Sequence, residues 1–550
     1  MAGILTVLWE SSTRVAAVAL GSALLWQLLV AGYNIALHPL RKYPGPVLQR
    51  ASPLVWAWQH AFGYQAFSTQ RLHDRYGPVV RVSPNHLSFT HVDAWKDIYG
   101  FQIGKDFDDN ELPKARIFST TIEEIPKSIV NADREEHQRF RRALSHGFSD
   151  SSMRAQEGIL VRYIDKLISR LHENSDRGRK ALNIEAWYNW TTFDIAGDLI
   201  FGQSFECLER SNYHPWIAFI LQTIRYNAFM TALKYIGLDC VVRGLFKMGG
   251  LSAMSKLRES TDGMMQARLN MVQDRRDLFE GLLKRREEWN LSFEKLSANG
   301  LILVLAGSET TATTLSGTTY LLARNPDVLR KLNEEVRSTF ADPSEITIGS
   351  VSKLSYMLAV LNEALRLYPP VTSGLIREIP NGGCQISTEF VPQGTFVEIQ
   401  QWSANHSQDN WTRPWEFRPE RFLDGGKGEH NILDALQAFS LGPRNCIGKK
   451  YELPAGPLSL KKKRREKKKK KKTDTQTPKR EDIFADMNPV VKHSLAYAEM
   501  RLILARIVYD FDIKLAEGNG PWIERQRAFG LWDRIPLNVY LTPVSRGRTE

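Results

Sequence analysis

Hydrophobic residues recur with the spacing of amphipathic helices along most of the chain. The longest such segment, Ser297–Arg324, is apolar on most faces, which predicts a helix that runs through the core. Ser350–Leu367 begins at a capping serine and ends before two prolines, which predicts another helix. Further helices are predicted at Asp133–Phe148, Ala181–Phe201 and Ala496–Val508, and strands at Gly382–Gln401 and Leu537–Leu541. The pattern therefore predicts a mainly α fold with small β-sheets.

The N-terminal pattern differs, because Val15–Leu37 contains no charged residue. A helix of this length spans a hydrocarbon layer of about 30 Å. The stretch is longer than the apolar region of a cleaved signal peptide, so we expect residues 1–37 to be a single-pass anchor for a body formed by residues 38–550. Tyr43–Pro46 is expected to be a stiff linker that holds this body off the bilayer. The basic residues that follow the span place the body in the cytosol by the positive-inside rule: Arg41, Lys42 and Arg50.

The composition is ordinary for a globular protein, with 43% hydrophobic and 24% charged residues. No two cysteines form a Cys-x-x-Cys pair, so neither a disulfide framework nor a zinc site is indicated, and a reducing compartment fits better. Most of the net charge of +12 lies in residues 451–494, where every residue from Lys461 to Lys472 except Glu466 is basic. A nucleic-acid-binding or partner-binding protein is therefore a second hypothesis.

One cysteine lies in a loop with distinctive chemistry, Phe439–Gly448, which reads FSLGPRNCIG. Gly442 and Gly448 would let the backbone approach a flat ligand closely. Ionising the thiol of Cys446 requires positive potential, which Arg444 and backbone N–H groups can supply. From these residues alone, a buried and inert cysteine remains the competing interpretation.

The same loop resembles the haem-binding signature of the cytochrome P-450 family, Phe-x-x-Gly-x-Arg-x-Cys-x-Gly, at every defined position. Four further motifs follow the family order from about Leu37 to the C-terminus, with one interruption. Among the members of this family, the chain resembles fungal enzymes of secondary metabolism, such as the isotrichodermin and averantin hydroxylases. The resemblance implies a cytochrome P-450 fold on one transmembrane helix, with Cys446 as the axial thiolate ligand of haem b. It also implies that the haem contacts Phe439, Gly442, Arg444 and Gly448.

A second match, Ala306–Thr311, reads AGSETT in the long apolar helix. It resembles the segment that passes over the distal face of the haem. The resemblance implies that Thr310 and Glu309 guide water and protons to bound oxygen, which is a general-acid role. For the later hydroxyls, Thr313 and Thr314, packing against neighbouring helices is the favoured interpretation.

A third match joins Glu363 and Arg366, which lie three residues apart on one predicted helix, with Arg421 in the segment FRPERF. As an isolated pair, Glu363 and Arg366 would be read as an ordinary surface ion pair. The resemblance instead implies that the three residues form a buried structural group that supports the haem pocket.

The resemblance also assigns residues to the haem propionates and to the substrate. His137 and Arg141 match propionate contacts, and Arg377 matches one loosely, although an Arg-rich helix is more often a solvated surface. Parts of the loop Phe101–Val130 and the segments Val371–Leu375 and Phe529–Trp532 are expected to face the substrate. The residues expected to contact the substrate are Leu301, Val304, Leu305, Ala306, Val371, Leu375, Phe529 and Leu531.

These matches predict a monooxygenase that inserts one oxygen atom from O2 into a small apolar substrate, such as a polyketide or terpenoid intermediate. NADPH is expected to supply electrons through a separate membrane-bound reductase, because the chain has no Rossmann or flavin fingerprint. The resemblance implies the endoplasmic reticulum membrane, and we expect no nucleic-acid partner. The alternatives are a haem-thiolate isomerase or dehydratase, which the pair Glu309–Thr310 disfavours, and an inactive mis-spliced product with a basic binding loop.

Residues 451–494 interrupt the resemblance and are predicted to be a translated intron. Family members continue from the ligand as C-I-G-K-N-L-A-Y-A-E, and here Leu495–Glu499 resumes that text after Lys450. A block of like charges would also repel itself beside the haem loop. The codons of residues 450–452 and 493–494 can carry splice sites. Excision between these sites keeps the reading frame and replaces residues 450–494 by one asparagine, the residue that family members have at this position. A genuine basic docking loop is the alternative.

Overall fold

The structure, a computed structural model, describes residues 2–101, 111–118, 126–245, 247–248, 251–271, 275–423, 429–449 and 494–545. Of the predicted insert, residues 451–493 lie outside the described residues. Two stretches of the predicted pocket loop, 102–110 and 119–125, also lie outside them.

The described residues form helices over most of their length. The α-helices are α1 (Ala2–Ala36), α2 (Val47–Ala51), α3 (Leu54–Ala61), α4 (Gln65–Tyr76), α5 (Ala94–Tyr99), α6 (Arg134–Leu144), α7 (Asp150–Asn174), α8 (Ile184–Phe201), α9 (Cys207–Arg210), α10 (Pro215–Tyr235), α11 (Asp239–Leu245), α12 (Leu251–Leu269), α13 (Glu280–Lys284), α14 (Phe293–Arg324), α15 (Pro326–Thr339), α16 (Ile348–Val351), α17 (Ser355–Leu367), α18 (Gln401–His406) and α19 (Leu495–Asp510). Short 3-10 helices lie at Pro39–Lys42, Arg116–Phe118, Asp176–Gly178, Pro343–Glu345, Pro419–Phe422, Leu433–Ala435 and Gly442–Arg444.

The strands form four small sheets. They are β1 (Val79–Ser83), β2 (His86–Phe89), β3 (Leu182–Asn183), β4 (Arg377–Glu378), β5 (Cys384–Ile386), β6 (Glu389–Val391), β7 (Phe396–Ile399), β8 (Phe511–Leu515), β9 (Arg527–Phe529), β10 (Leu531–Asp533) and β11 (Asn538–Pro543). The sheet orders are β1-β2-β7-β4, β3-β11-β8, β5-β6 and β9-β10. Pairing is antiparallel except between β2 and β7, which are parallel.

The predicted fold class, mainly α with small sheets, is confirmed. Element ends differ where capping decides them. The predicted helix from Asp133 begins one residue later, because the Asp133 side chain accepts from the N–H of Glu136 as an N-cap. Ser292 caps α14 in the same way, so this helix begins before the predicted Ser297. The segment predicted as helix from Ala181 starts as strand β3, because it pairs with β11.

Helix α14 runs through the main core, where it packs against α8, α12, α17 and α19. Its many hydroxyl groups are tolerated there because most of them donate to the carbonyl group four residues earlier. This arrangement satisfies the hydroxyls inside the helix and leaves its surface apolar. The side chains that do so are Ser308, Thr310, Thr313, Thr314, Ser316 and Thr318.

The N-terminal helix α1 contains Thr13–Ala36, which among the described residues is the one helix long and apolar enough to cross a membrane. Its most apolar window has a mean hydropathy of 1.9 and is not buried against the rest of the protein. This segment lies within two residues of the predicted span Val15–Leu37 at either end, which is consistent with a membrane anchor.

Three arginines of the body hold the C-terminal end of α1. Arg81, Arg50 and Arg41 each donate to one of the last three helical carbonyl groups, at 2.9, 3.2 and 3.3 Å. These carbonyls have no partner within the helix and form the negative end of its dipole, so guanidinium groups stabilise them. The predicted linker Tyr43–Pro46 is also packed on the body, since the Tyr43 hydroxyl donates to Glu389 at 3.2 Å. The anchor is therefore joined to the sheet β1-β2-β7-β4 through fixed contacts.

Candidate active site

A largely apolar cavity of about 300 Å³ lies between α14 and the loop that carries Cys446. Helix α19 and the segment Pro370–Leu375 complete its wall. The two sequence segments singled out on chemical grounds, Ala306–Thr311 and Phe439–Gly448, therefore meet at one site.

One stripe of α14 forms the side of the cavity that faces the Cys446 loop. Ala306, Gly307, Thr310, Thr311 and Thr314 share this stripe because they are spaced by one helical turn. A Cβ atom built on Gly307 would meet no atom of the described residues within 4 Å, so this position leaves the wall flat. The Thr310 hydroxyl donates to the carbonyl of Ala306 at 2.7 Å, which places it at the cavity surface.

The opposite side is formed by the loop that follows the 3-10 helix Gly442–Arg444. The Cys446 N–H donates to the Phe439 carbonyl at 2.9 Å and so closes the loop, and the Phe439 ring packs 5.4 Å from that of Tyr497. A Cβ atom on Gly448 would lie 3.5 Å from the Cys446 Sγ. A side chain at position 448 would therefore contact the thiol, whereas glycine leaves that side of it uncovered.

Gly442 has a different reason to be glycine. Its φ is +73°, and a Cβ atom there would lie only 1.9 Å from the carbonyl oxygen of Tyr99 at the end of α5. Gly442 is also not part of the cavity wall. In this structure Gly442 lets the loop approach α5, and its contact with a flat ligand stays a prediction.

Opposing effects act on the thiol of Cys446. Burial raises its pKa, while the N–H groups of Gly448 and Lys449 and the charges of Arg141 and Lys449 lower it. Arg141 approaches the loop directly, since its Nη1 donates to the carbonyl of Asn445 at 2.6 Å. Arg141 was predicted to contact a propionate. In this structure it instead binds Asn445, the residue before the cysteine. A guanidinium at this place stabilises a thiolate.

A cluster of positive charges lies beside the loop. Burial lowers the pKa of His137 to about 3, with smaller contributions from the charges of Arg444, Arg141, Lys114 and Arg377, so this imidazole is neutral at pH 7. Burial and two of these arginines lower the pKa of Lys114 to about 8. Sequence reasoning missed Lys114, because it lies in a loop without a motif and only the fold brings it to the cluster.

The residues of this cluster fit the two propionates of a haem. Arg444 lines the cavity and pairs with Glu111 at 3.1 Å. Arg377 is buried and donates to the Leu112 carbonyl at 3.1 Å, but its Nε has no hydrogen-bond partner among the described residues. A buried guanidinium N–H without a partner is costly, and a carboxylate ligand would satisfy it. A haem therefore fits this site: Gly307 leaves the cavity wall flat, Cys446 presents its thiol at the cavity, and the charged cluster can bind the propionates.

Behind the cavity, Glu363, Arg366 and Arg421 form one fully buried ionic group. Arg366 Nε and Nη2 each donate to one Glu363 oxygen at 2.8 Å, and Arg421 Nε donates to Glu363 at 3.0 Å. Arg366 Nη1 also donates to the Asn405 and Pro414 carbonyls at 2.7 Å. Because both arginines pair with Glu363 and also donate to backbone carbonyls, the group ties α17 to α18 and to the segment 412–421.

The acid of the AGSETT motif, Glu309, does not lie on the cavity wall. It is buried, and its Oε2 accepts from Arg534 Nη2 at 2.8 Å, while Arg534 also pairs with Glu185 at 3.1 Å. Arg534 follows β10, far from α14 in sequence, and nothing in its local sequence indicated this contact. Thr310 and Glu309 are therefore separated: the hydroxyl faces the cavity and the carboxylate faces an arginine.

Of the predicted substrate contacts, Ala306, Val371 and Leu375 line the cavity. Val304 is fully buried in the main core, because its position on α14 faces the neighbouring helices. The remaining predicted contacts lie outside this wall: Leu301, Leu305, Phe529 and Leu531. Leu303, within the expected segment Leu301–Ala306, also lines the wall, together with apolar residues that sequence reasoning did not name: Trp95, Tyr99, Phe148 and Leu278.

Comparison with known proteins agrees with this geometry. The family model of cytochrome P450 matches residues 46–451. The chain is 42% identical to the cytochrome P450 monooxygenase tpeC of Talaromyces stipitatus, over 96% of this chain and 95% of that protein. It is 40% identical to the averantin hydroxylase of Dothistroma septosporum, over 95% and 90% of the two chains. It is 38% identical to the trichothecene C-15 hydroxylase of Fusarium sporotrichioides, over 95% and 97%.

These relatives are named as monooxygenases and hydroxylases, so neither an isomerase or dehydratase nor a nucleic-acid-binding protein is favoured. The chain belongs to the cytochrome P450 family and is a haem-thiolate monooxygenase.

Proposed function

We propose that this enzyme hydroxylates an apolar polyketide or terpenoid intermediate of fungal secondary metabolism. The observation that carries the proposal is the cavity itself, because it places the thiol of Cys446 opposite the flat, hydroxyl-bearing stripe of α14. Apolar residues dominate the rest of the wall, so the site favours a substrate with few polar groups. Averantin hydroxylase and trichothecene C-15 hydroxylase are the similar proteins whose names support this substrate class.

As a cytochrome P450, the enzyme uses haem b, O2 and electrons that NADPH supplies through a separate reductase. Haem bound through a thiolate supplies the oxygen activation that the protein's own side chains lack. In this proposal Cys446 would hold the iron, and Arg444, Arg377, His137 and Lys114 would hold the propionates. Arg141 stabilises the thiolate through Asn445.

Around that group, the residues of the chain bind substrate, exclude water and hold protons. Val371, Leu375 and Ala306 orient an apolar substrate against the flat stripe. Thr310 holds its hydroxyl at the cavity surface, where it would donate its proton into the cavity after leaving the Ala306 carbonyl. Glu309 can take part only when its carboxylate leaves Arg534, since that contact turns it away from the cavity.

Feeding experiments test the substrate class. A fungal or yeast strain that expresses the protein is given candidate polyketides and terpenoids, and the masses of the products are compared with those of a Cys446→Ala strain. We expect a product heavier by one oxygen atom in the first strain alone. No new product from any apolar candidate, with haem incorporated, would contradict the proposed substrate class.

We also propose that residues 451–494 are absent from the working enzyme. The shortened chain is defined here as the sequence in which one asparagine replaces residues 450–494. Variants are compared in the chain that incorporates haem, whether this is the full chain or the shortened chain. This chain is called the haem-binding form.

Replacing Thr310 by alanine is expected to lower the yield of product per NADPH by at least about tenfold, with the lost electrons appearing as hydrogen peroxide. The change removes the hydroxyl at the cavity surface but leaves haem binding and substrate binding intact. Thr310→Ser restores the hydroxyl and should recover most of the yield. Thr318→Ala is the matched control, because Thr318 makes the same backbone bond in α14 but lies outside the cavity. Unchanged yield in Thr310→Ala would remove Thr310 from the proton path.

We propose that α1 anchors the enzyme in the endoplasmic reticulum membrane with the catalytic domain in the cytosol. Deleting residues 1–37 should reduce the membrane-bound fraction measured by carbonate extraction and sedimentation. Some binding should remain, because apolar side chains near the anchor are exposed: Val47, Leu48, Leu54, Trp58 and Phe62. A chain in which another apolar sequence of equal length replaces the span should stay membrane-bound. No change on deletion would contradict the assignment of the span.

A further inference from the structure

A buried carboxyl group lies directly behind one wall of the cavity. Glu398, on β7, is only 1% exposed and does not line the cavity itself. It packs against Gly374, which does line the cavity, in the segment Val371–Leu375. A Cβ atom built on Gly374 would lie 2.6 Å from the Glu398 Cβ and 2.7 Å from its Oε2. Glu398 therefore contacts the backbone of this segment, which we call the wall segment, with no side chain between them.

A second neighbour of Glu398 is His86, on β2. Both side chains are almost fully buried, and His86 Nε2 faces Glu398 Oε1 at 3.6 Å. This nitrogen has no hydrogen-bond partner among the described residues, so Glu398 is the group placed to satisfy it. Burial raises the pKa of Glu398 to about 8 and lowers the pKa of His86 to about 3, so the protonated acid faces a neutral imidazole at pH 7.

The other ring nitrogen of His86 contacts the end of α10. His86 Nδ1 lies 3.0 Å from the hydroxyl of Tyr235, which is the last residue of that helix. The Tyr235 hydroxyl also interacts with the side chain of Ser83, and its ring stacks on Trp56 of α3 at 3.8 Å. A continuous row of buried contacts thus runs from α10 through His86 and Glu398 to the wall segment.

Polar side chains at these buried places need a reason, because apolar side chains would fill the same space without losing solvation. Burying an acid and an imidazole costs free energy unless each finds a partner, and a partnered pair holds its neighbours in one arrangement. Glycine at 374 points to the same close packing, since a Cβ atom there would also lie 2.6 Å from the Ile399 carbonyl oxygen. These residues together hold the wall segment close to β7.

We propose that Glu398 and His86 are positioning residues that fix the wall segment relative to α10 and thereby decide which position of the substrate is oxidised. This inference rests on the proposed function, and it names residues that set the selectivity of that site. Val371 and Leu375 lie on the wall segment and line the cavity, so a displacement of its backbone moves the apolar surface against which a substrate lies. The two residues act through this surface and not on the chemistry of oxidation.

Two iron-binding probes test the position of the wall without a substrate. Imidazole binds haem iron and makes little contact with the wall, whereas 1-phenylimidazole binds in the same way and adds a ring that packs on it. In the haem-binding form, we expect Glu398→Ala to weaken binding of 1-phenylimidazole by about tenfold and to leave binding of imidazole unchanged, because the support behind Gly374 is lost. Both affinities are read from the shift of the haem absorption band.

A conservative variant and a distant variant separate this role from a general loss of stability. Glu398→Gln keeps the shape and can still bond to His86, so it should recover most of the affinity for 1-phenylimidazole. Tyr235→Phe removes one hydroxyl at the far end of the row and should weaken the same probe by about threefold. It also replaces Glu398→Ala as the test if that variant does not incorporate haem.

Glu280→Ala is the matched control. Glu280 is a buried acid on α13 that pairs with Lys284 at 2.5 Å, and it is not part of the cavity wall. Its loss should leave the affinities for both probes unchanged. Gly374→Ala is the positive control, because its Cβ atom would force the wall segment away from β7, and it should weaken 1-phenylimidazole alone.

With a substrate identified by feeding, the ratio of positional isomers among the products gives the functional readout. We expect Glu398→Ala and Tyr235→Phe to change this ratio in the same direction at normal haem content. The double variant should differ little from Glu398→Ala, because both changes interrupt one row of contacts. Additive changes would overturn the coupling through His86. Equal losses for imidazole and 1-phenylimidazole, or unchanged affinities in Glu398→Ala and Tyr235→Phe, would overturn the proposal. Neither probe depends on a product, so failure of the proposed function would appear separately, in the feeding experiments.

Discussion

Replacing Cys446 by serine is expected to abolish the red-shifted absorption band that the reduced protein shows with carbon monoxide when a thiolate binds the iron. The serine hydroxyl has nearly the shape of the thiol but stays protonated near neutral pH, so it cannot donate the same electron density. Product formation should be lost together with the band. Reduced carbon-monoxide difference spectra of the variant and the unmodified protein measure this effect in the haem-binding form.

Cys240→Ser is the matched control for this prediction. Cys240 is an exposed cysteine on α11 and is not part of the cavity wall, so the change should leave the band and the product yield unaltered. Equal loss of the band in both variants would point to a general effect on folding. A band of normal position and height in Cys446→Ser would show that another group ligates the iron.

Helices with long apolar periods were predictable from the sequence, because local pattern and local caps decide them. Segments corresponding to α14 and α17 were recognised in this way, and the errors at their ends came from caps such as Ser292. The sheets were less predictable, since their pairs join distant segments. Strand β2, for example, pairs with β7 more than three hundred residues later, and no local pattern encodes that partner.

The site shows the same division between local motif and distant contact. Cys446, Thr310 and the trio around Glu363 were found because motifs of fixed spacing carry them. Lys114 and Arg534 were missed because each acts through residues far away in sequence. A motif gives the chemistry of a side chain but not its partner, which explains why Glu309 could be identified from its motif while its bond to Arg534 could not.

Removing residues 451–494 is expected to raise haem incorporation, and the geometry of the ends of this segment supplies the reason. The Ser494 hydroxyl donates to the carbonyl of Gly448 at 2.6 Å, and a Cβ atom on Gly448 would lie 3.9 Å from that of Ala496. The chain thus returns to the point it left, directly beside Cys446. Helix α19 then begins at Leu495, so one asparagine after Lys449 can join the two ends.

The family comparison and polymer physics agree with this geometry. The match to the family model stops at residue 451, where the segment begins. Closing so long a loop instead of a one-residue connection costs about 3 kcal/mol, from roughly five doublings of loop length. The segment also carries a block of like charges, and Lys449, close to its start, already lies with Arg141 beside the cysteine. Both effects oppose docking of α19 against the cysteine.

We therefore expect the shortened chain to contain at least about tenfold more haem per protein than the full chain, from an effect of more than about 1.4 kcal/mol. Both chains are expressed side by side and their haem content is read from the reduced carbon-monoxide spectrum. A full chain in which uncharged residues replace Lys461–Lys472 is the matched control, since it keeps the loop length and removes the charge. It should stay below the shortened chain, because loop closure still opposes folding.

Sequencing the mature transcript decides whether the segment is an intron. We expect message from cells that make active enzyme to lack the codons of residues 451–493, with an asparagine codon between Lys449 and Leu495. The excised bases would begin after the first two bases of codon 450 and end before the last base of codon 494, which keeps the frame. Message that retains these codons in such cells, together with equal haem content in the full and shortened chains, would show that residues 451–494 are a genuine insertion.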